Sequence, residues 1–156
     1  HIPTCFGDSD SEYKETIKKP NLMVSVGRLA REKGLTYLIE ATRIIPCFIA
    51  KRVIGLGIAI FSSQFFKIIS HLVVIVREDS QRKSLERLVC GLNLGKRVRF
   101  LGEKTRIELV EVYDVADLFV LSSHSEGLPF ALLKAMAYGT VCVSSPVGDI
   151  SAVPVG

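Results

Sequence analysis

Short apolar runs alternate with segments of helical spacing along most of this chain. Residues 22–26 form a compact apolar run that ends at Gly27. Leu35, Leu38, Ile39 and Thr42 then recur at intervals that share one face of a helix, which predicts a helix beginning near Gly34. Residues 72–76 read LVVIV, a β-branched run of the kind that forms a strand buried on both faces. Leu85, Leu88, Val89 and Leu92 return to helical spacing, and Gly91 or Gly95 is placed to stop that helix. Residues 98–101 predict a strand. Ile107, Val110, Tyr113 and Asp114 suit a short helix, and residues 118–121 are the next strand. Residues 130–138 predict a further helix, with Leu132, Leu133 and Met136 on its apolar face. Residues 141–144 are the last strand.

This alternation predicts an α/β fold: a Rossmann-like parallel sheet with helices on both faces and right-handed crossovers. Ligands of such sheets sit at the carboxyl ends of the strands. Gly27, Gly102 and residues 122–127 all fall at such ends and are expected to converge. The first 21 residues are polar and read as a lead-in or linker, and residues 22–156 as one domain. One segment, about residues 47–70, breaks the rhythm. Its stretch 53–66 lacks charge but is shorter than the roughly 20 residues of a membrane-spanning helix. It reads first as an extra buried element. A membrane-surface patch is the second reading, because Lys51, Arg52 and Lys67 flank the apolar residues. Gly55 and Gly57 lack the third glycine of a dinucleotide fingerprint.

Composition narrows the function classes. A chain of 156 residues with 48% hydrophobic and 23% charged residues suits a single folded domain. A net charge of +4 is compatible with phosphate-bearing ligands or an anionic surface. It is too weak for nucleic acid, and no dense basic stripe with interleaved aromatics appears. Cys5, Cys47, Cys90 and Cys142 are far apart, with no Cys-x-x-Cys pair, so no metal site is expected. Cys90 and Cys142 lie in apolar runs and read as buried small hydrophobes in a reduced, cytoplasmic setting. The chain begins with His1 rather than Met and shows no signal peptide, which leaves open that it is part of a longer reading frame.

Two loops carry candidate chemistry. In the first, Val26-Gly27-Arg28-Leu29-Ala30-Arg31-Glu32-Lys33-Gly34, a strand ends, a glycine permits a turn, and cations follow. Arg28 can grip a phosphate bidentately and Lys33 supplies a point charge. In the second, residues 122–125 form a polar turn and Glu126-Gly127-Leu128-Pro129-Phe130 opens a helix with Pro129 in its first turn. Free N–H groups there favour an anion. Glu126 itself is suited to accept hydrogen bonds from hydroxyls, as on a sugar. The plainer reading makes Ser125 or Glu126 a helix cap. His124 has no sequence-adjacent partner and reads as an exposed loop residue, and Asp117 as a cap or a solvent-facing acid. No nucleophile elbow and no phosphate-binding loop of the Walker type is present.

In order, these pieces resemble the C-terminal domain of family 4 glycosyltransferases, which have the two-domain GT-B architecture. The resemblance is carried by VGRLAREKG at residues 26–34, LIEA at 38–41, LVVIV at 72–76 with RKSLE at 82–86, and RVRFLG at 97–102. ADLFVLSS at 116–123, EGLP at 126–129 and AMAYG at 135–139 complete it. It implies the donor-binding domain of a retaining, hexosyl-transferring enzyme of glycoconjugate or cell-envelope polysaccharide synthesis. The donor would be a sugar nucleotide such as a UDP- or GDP-sugar, with no cofactor and no metal. A separate N-terminal domain, absent here, would hold the acceptor, so the chain alone is expected to be inactive. The resemblance makes Arg28 and Lys33 the diphosphate clamp and Glu126 the first acid of a Glu-x7-Glu motif on the donor sugar. It places the backbone of Gly127, Leu128, Pro129 and Phe130 against sugar and phosphate, and the base near Phe100, Leu101 and Gly102, with Gly27 also among the binding residues.

Departures from the pattern favour a second reading. Lys134 stands where the second acid would hold ribose hydroxyls, and a cation cannot accept those bonds. Arg77-Glu78-Asp79-Ser80 replaces a glycine-rich turn, and about 17 residues are inserted before that strand, judged against ordinary loop lengths. Val147-Gly148-Asp149-Ile150-Ser151-Ala152 replaces a pattern that usually carries a second glycine and a later Glu. These changes suit a degenerate, non-catalytic fragment that keeps the fold. A sugar-nucleotide epimerase of the same architecture ranks lower, because the motif order fits the transferases better.

Overall fold

A computed structural model describes residues 22–43, 71–77 and 81–148. The polar lead-in, the apolar segment 47–70 and Glu78-Asp79-Ser80 lie outside the described residues. Among the described residues there are five strands: β1 (Leu22–Arg28), β2 (His71–Arg77), β3 (Val98–Leu101), β4 (Leu118–Leu121) and β5 (Val141–Ser144). Between them run helices α1 (residues 35–43), α2 (Arg82–Gly91), α3 (Arg106–Val115) and α4 (Phe130–Ala137). The sheet order is β3-β2-β1-β4-β5, and every pairing is parallel. From β1 at the centre the sheet builds outward through β2 and β3, then continues on the other side of β1 through β4 and β5. The strand order therefore reverses between β1 and β4, the switch point at whose carboxyl edge open sheets of this kind form their ligand crevice.

Alternation along the strands divides the core into two layers. Met23 of β1 and Val98 and Phe100 of β3 pack with Leu35, Leu38 and Ile39 of α1 and Leu85 and Val89 of α2. Leu22 and Val24 of β1 and Phe119 and Leu121 of β4 point the other way, against Val112 and Tyr113 of α3 and Leu132 and Ala135 of α4. Each fully buried side chain of this size contributes about 1.5–3 kcal/mol. The predicted α/β fold, with helices on both faces of a parallel sheet, is present.

Several local expectations are corrected. Ile107 and Val110 do not face the core of α3: they are 76% and 40% exposed. The buried stripe is Val112 and Tyr113 with Leu109 and Ala116 against them, the i, i+3, i+4 set one position round the helix. On α4, Leu132 and Ala135 are buried while Leu133 is half-buried. α2 ends at Gly91, one of the two glycines placed to stop it, and the left-handed residue follows at Asn93, with φ 56°. Cys90 is half-buried and disulfide-bonded, not an inert buried thiol, whereas Cys142 is free. Asp117 does not cap a helix; it is solvent-exposed, the other of its two expected places. Its carboxylate accepts the Leu22 N–H at 2.7 Å, and its own N–H donates to the Leu22 carbonyl at 3.0 Å, which fastens the start of β4 to the start of β1.

Candidate functional site

The loops after β1, β4 and β5 meet at the crevice between β1 and β4. After Arg28 the chain drops Leu29 into the core and makes one 3₁₀ turn, Arg31–Lys33, closed by Gly34 at φ 61°. A Cβ on Gly34 would lie 2.1 Å from the Ser122 carbonyl oxygen, so only glycine allows the β4 loop to approach. The two loops are then stitched together. The Ser122 hydroxyl donates to the Lys33 carbonyl at 2.9 Å, and the His124 N–H donates to the Glu32 carbonyl at 2.6 Å. The β5 loop closes from the other side. The Ser145 N–H donates to the Leu121 carbonyl at 2.9 Å, and its hydroxyl donates to the Ser123 carbonyl. Gly148, at φ 60°, sits where a Cβ would come within 2.0 Å of the Glu126 carbonyl oxygen.

These contacts bring together two of the sequence-selected residues. Lys33 Nζ donates to Glu126 Oε1 at 2.5 Å, across 93 positions of chain. The Ser123 hydroxyl donates to the same oxygen at 2.5 Å. The Lys33 and Glu126 side chains are 19% and 9% exposed, so the pair is shielded from the screening that weakens surface ion pairs. Glu126 is therefore an acceptor within the crevice, not a helix cap. Pro129 occupies the cap position of α4 and makes no side-chain bond there.

The remaining selected residues take different places. Arg28 is exposed at the end of β1 and pairs with Glu32 at 3.4 Å, not with Glu126. Gly27 lies under the Lys33 stem, and a Cβ there would meet Lys33 Cδ at an ordinary 3.9 Å. Gly127 is exposed, and Leu128 and Phe130 present large apolar surfaces to solvent, 51% and 66% exposed, beside Glu126. Lys134 is exposed on α4. Leu101 and Gly102 lie at the same carboxyl edge on β3, two strands away from β1.

Three participants were missed in the sequence. Ser123 is 1% exposed and holds Glu126; its signal was a hydroxyl three residues before an acid in a tight turn. Gly148 braces the Glu126 backbone. Tyr37 meets the His124 ring edge-on at 5.2 Å, so His124 is exposed but not without a neighbour. Tyr37, His124, Arg31, Gln81 and Ser84 line a cleft of about 470 Å³ between the starts of α1 and α2. Among the described residues, no group of three or more His, Cys, Asp or Glu is placed to hold a metal ion, and no helix is long and apolar enough to cross a membrane.

A shielded cation and a carboxylate facing each other across the switch point of a parallel sheet suit a ligand with both phosphates and hydroxyls. Comparison with known proteins agrees on the family. The family model described as glycosyl transferases group 1 matches residues 8–153. The amylovoran biosynthesis glycosyltransferase AmsK of Erwinia amylovora is 30% identical over 144 residues, covering 86% of this chain and 30% of the relative. The sucrose-phosphate synthase of Thermosynechococcus elongatus superposes with a TM-score of 0.67 at 26% identity, over 94% of this chain and 33% of that one. Anabaena HepE, solved in complex with UDP and glucose, superposes with a TM-score of 0.64 at 18% identity, over 98% of this chain and 38% of that one. The chain thus spans about a third of the length of these relatives. With this sheet, this crevice and this match along nearly its whole length, the chain belongs to the glycosyl transferases group 1 family, of GT-B architecture.

Proposed function

We propose that this chain is the C-terminal, donor-binding domain of a family 4 retaining glycosyltransferase that takes its hexosyl group from a sugar nucleotide. The observation that carries the reading is the Lys33–Glu126 contact at the crevice between β1 and β4. Lys33, with Arg28 at the end of β1, would neutralise a leaving diphosphate, whose charge grows in the transition state. Glu126 and the N-terminal backbone of α4 would take the sugar hydroxyls and the adjoining phosphate. The exposed Leu128 and Phe130 supply apolar contact beside them. The base would lie toward Leu101 and Gly102. No cofactor or metal enters this reading.

The similarity to a glycosyltransferase of amylovoran biosynthesis and to a neighbour solved with UDP and glucose supports a role in glycoconjugate or envelope polysaccharide assembly with a nucleoside-diphosphate donor. The acceptor belongs to a further domain, and the chain by itself would turn over little, because bringing donor and acceptor together supplies much of the rate. Lys134 favours the second reading, a domain that keeps the fold with weakened nucleotide binding: it offers no acceptor to ribose hydroxyls.

Calorimetric titration of the chain with UDP, GDP and ADP, free and sugar-linked, tests the proposal. Saturable binding of at least one sugar-linked form is the expected result. Absence of binding by all of them at millimolar concentration overturns it.

A further inference from the structure

The site as it stands is closed on itself. The ammonium suited to a diphosphate is held by the carboxylate suited to sugar hydroxyls, and one oxygen, Glu126 Oε1, accepts from both Lys33 Nζ and the Ser123 hydroxyl. The partners differ in freedom. Glu126 sits in a loop clamped between Gly34 against Ser122 and Gly148 against its own carbonyl, so its backbone has little room to retreat. Lys33 reaches Glu126 on a flexible four-carbon stem that passes over Gly27 in ordinary contact, so Lys33 is the partner able to move.

Two kinds of ligand meet this pair differently. One that offers only phosphate oxygens draws Lys33 away and leaves a carboxylate only 9% exposed with Ser123 as its remaining described donor. An uncompensated charge at such a place is costly. One that offers phosphate oxygens and hydroxyls together replaces both halves of the pair. We infer, on the donor-site reading above, that the Lys33–Glu126 pair is the resting form of the site and exchanges partners with a sugar-linked nucleoside diphosphate. The exchange makes the site discriminate between the sugar-linked donor and the free nucleoside diphosphate. Once the sugar has left, Glu126 recaptures Lys33 and loosens the hold on the diphosphate, so the same contact that rests the empty site promotes product release.

The test is a titration of this chain and its Glu126→Gln variant with UDP and GDP, each free and glucose-linked. Glutamine keeps an oxygen for the Ser123 hydroxyl but gives up the charge that holds Lys33. The unsubstituted chain is expected to prefer the sugar-linked form. Glu126→Gln is expected to bind the free nucleoside diphosphate roughly tenfold more tightly than the unsubstituted chain, as for loss of a competing shielded charge pair. The preference for the sugar-linked form narrows accordingly. Equal affinity of the two proteins for the free form, with the sugar-linked form still saturating, overturns the exchange and leaves the donor site standing. Binding of neither form by either protein removes the donor site, and the exchange with it. Should Glu126→Gln fail to fold, Glu126→Asp, whose carboxylate is withdrawn by one methylene, is expected to give a smaller gain for the free form, and no gain overturns the exchange.

Discussion

At the scale of single residues, the two glycines in the first functional loop play unequal parts. Gly34 combines a φ of 61° with a carbonyl 2.1 Å from where its Cβ would be, whereas Gly27 has a normal φ and room for a methyl group. Gly34→Ala is therefore expected to cost about 1–3 kcal/mol of folding stability, and Gly27→Ala little, in urea unfolding. The sequence marks Gly27 as a turn former and Gly34 as the start of a helix; the approach of Ser122 shows that Gly34 is the one that must stay glycine. Lys134 makes a second prediction. If ribose contact was lost through its charge, Lys134→Glu on the exposed face of α4 raises the affinity for UDP or GDP in the same titration. Unchanged affinity would remove Lys134 as the explanation. Arg28 and Lys33 looked alike in the sequence, as basic residues of one loop. The fold separates them: Lys33 turns into the crevice and Arg28 stays at the surface with Glu32.

At the scale of elements, α3 shows how local chemistry sets a boundary that tertiary packing then uses. The Thr105 side chain accepts from the Glu108 N–H at 3.3 Å, and Glu108 accepts the Thr105 N–H at 2.8 Å, a complete capping box. Thr105→Ala is expected to lower stability by about 1 kcal/mol in urea unfolding. Bonds from the Thr105 backbone, then its hydroxyl, with Lys104 beside them, hold the Glu108 carboxyl below its ordinary pKa. A depressed carboxylate stabilises the fold above its unfolded pKa, and the contribution fades as pH falls through the folded value. Glu108→Gln should therefore flatten part of the acid limb of a stability–pH profile, and an unchanged limb would assign that slope elsewhere. The helix itself was legible in residues 106–115. Its buried face was not, because Ile107 and Val110 offer as good an apolar stripe as Leu109, Val112 and Tyr113 until the sheet selects one of them.

At the scale of the whole molecule, one of the two core layers carries a buried titratable group. The layer under α3 and α4 contains Tyr113, 2% exposed, tilted against Phe119 at 6.0 Å and stacked on Tyr138 at 5.9 Å. Burial, with the nearby Cys142 adding to it, pushes the Tyr113 pKa up to about 12. A raised phenol stabilises the fold in full below its unfolded value near 10, and that contribution is lost as pH rises through about 12. Stability measured by urea unfolding should fall across this window, and Tyr113→Phe should make the fall shallower. The order of strands and helices, and hence the α/β class, followed from hydrophobic periodicity, since each element's apolar pattern must match its own repeat to be buried. The loops that matter were also marked, because glycine, cations and an acid at strand ends are local signals. The pairing of Lys33 with Glu126 was not, nor were Ser123 and Gly148 as their supports. Those contacts join positions 93 residues apart and exist only because the sheet order reverses between β1 and β4, which places three distant loops over one crevice. Sequence by itself determined the elements and the chemistry on offer; tertiary structure decided which charges face each other, because that depends on strand order and close backbone approach, and neither has a local periodicity.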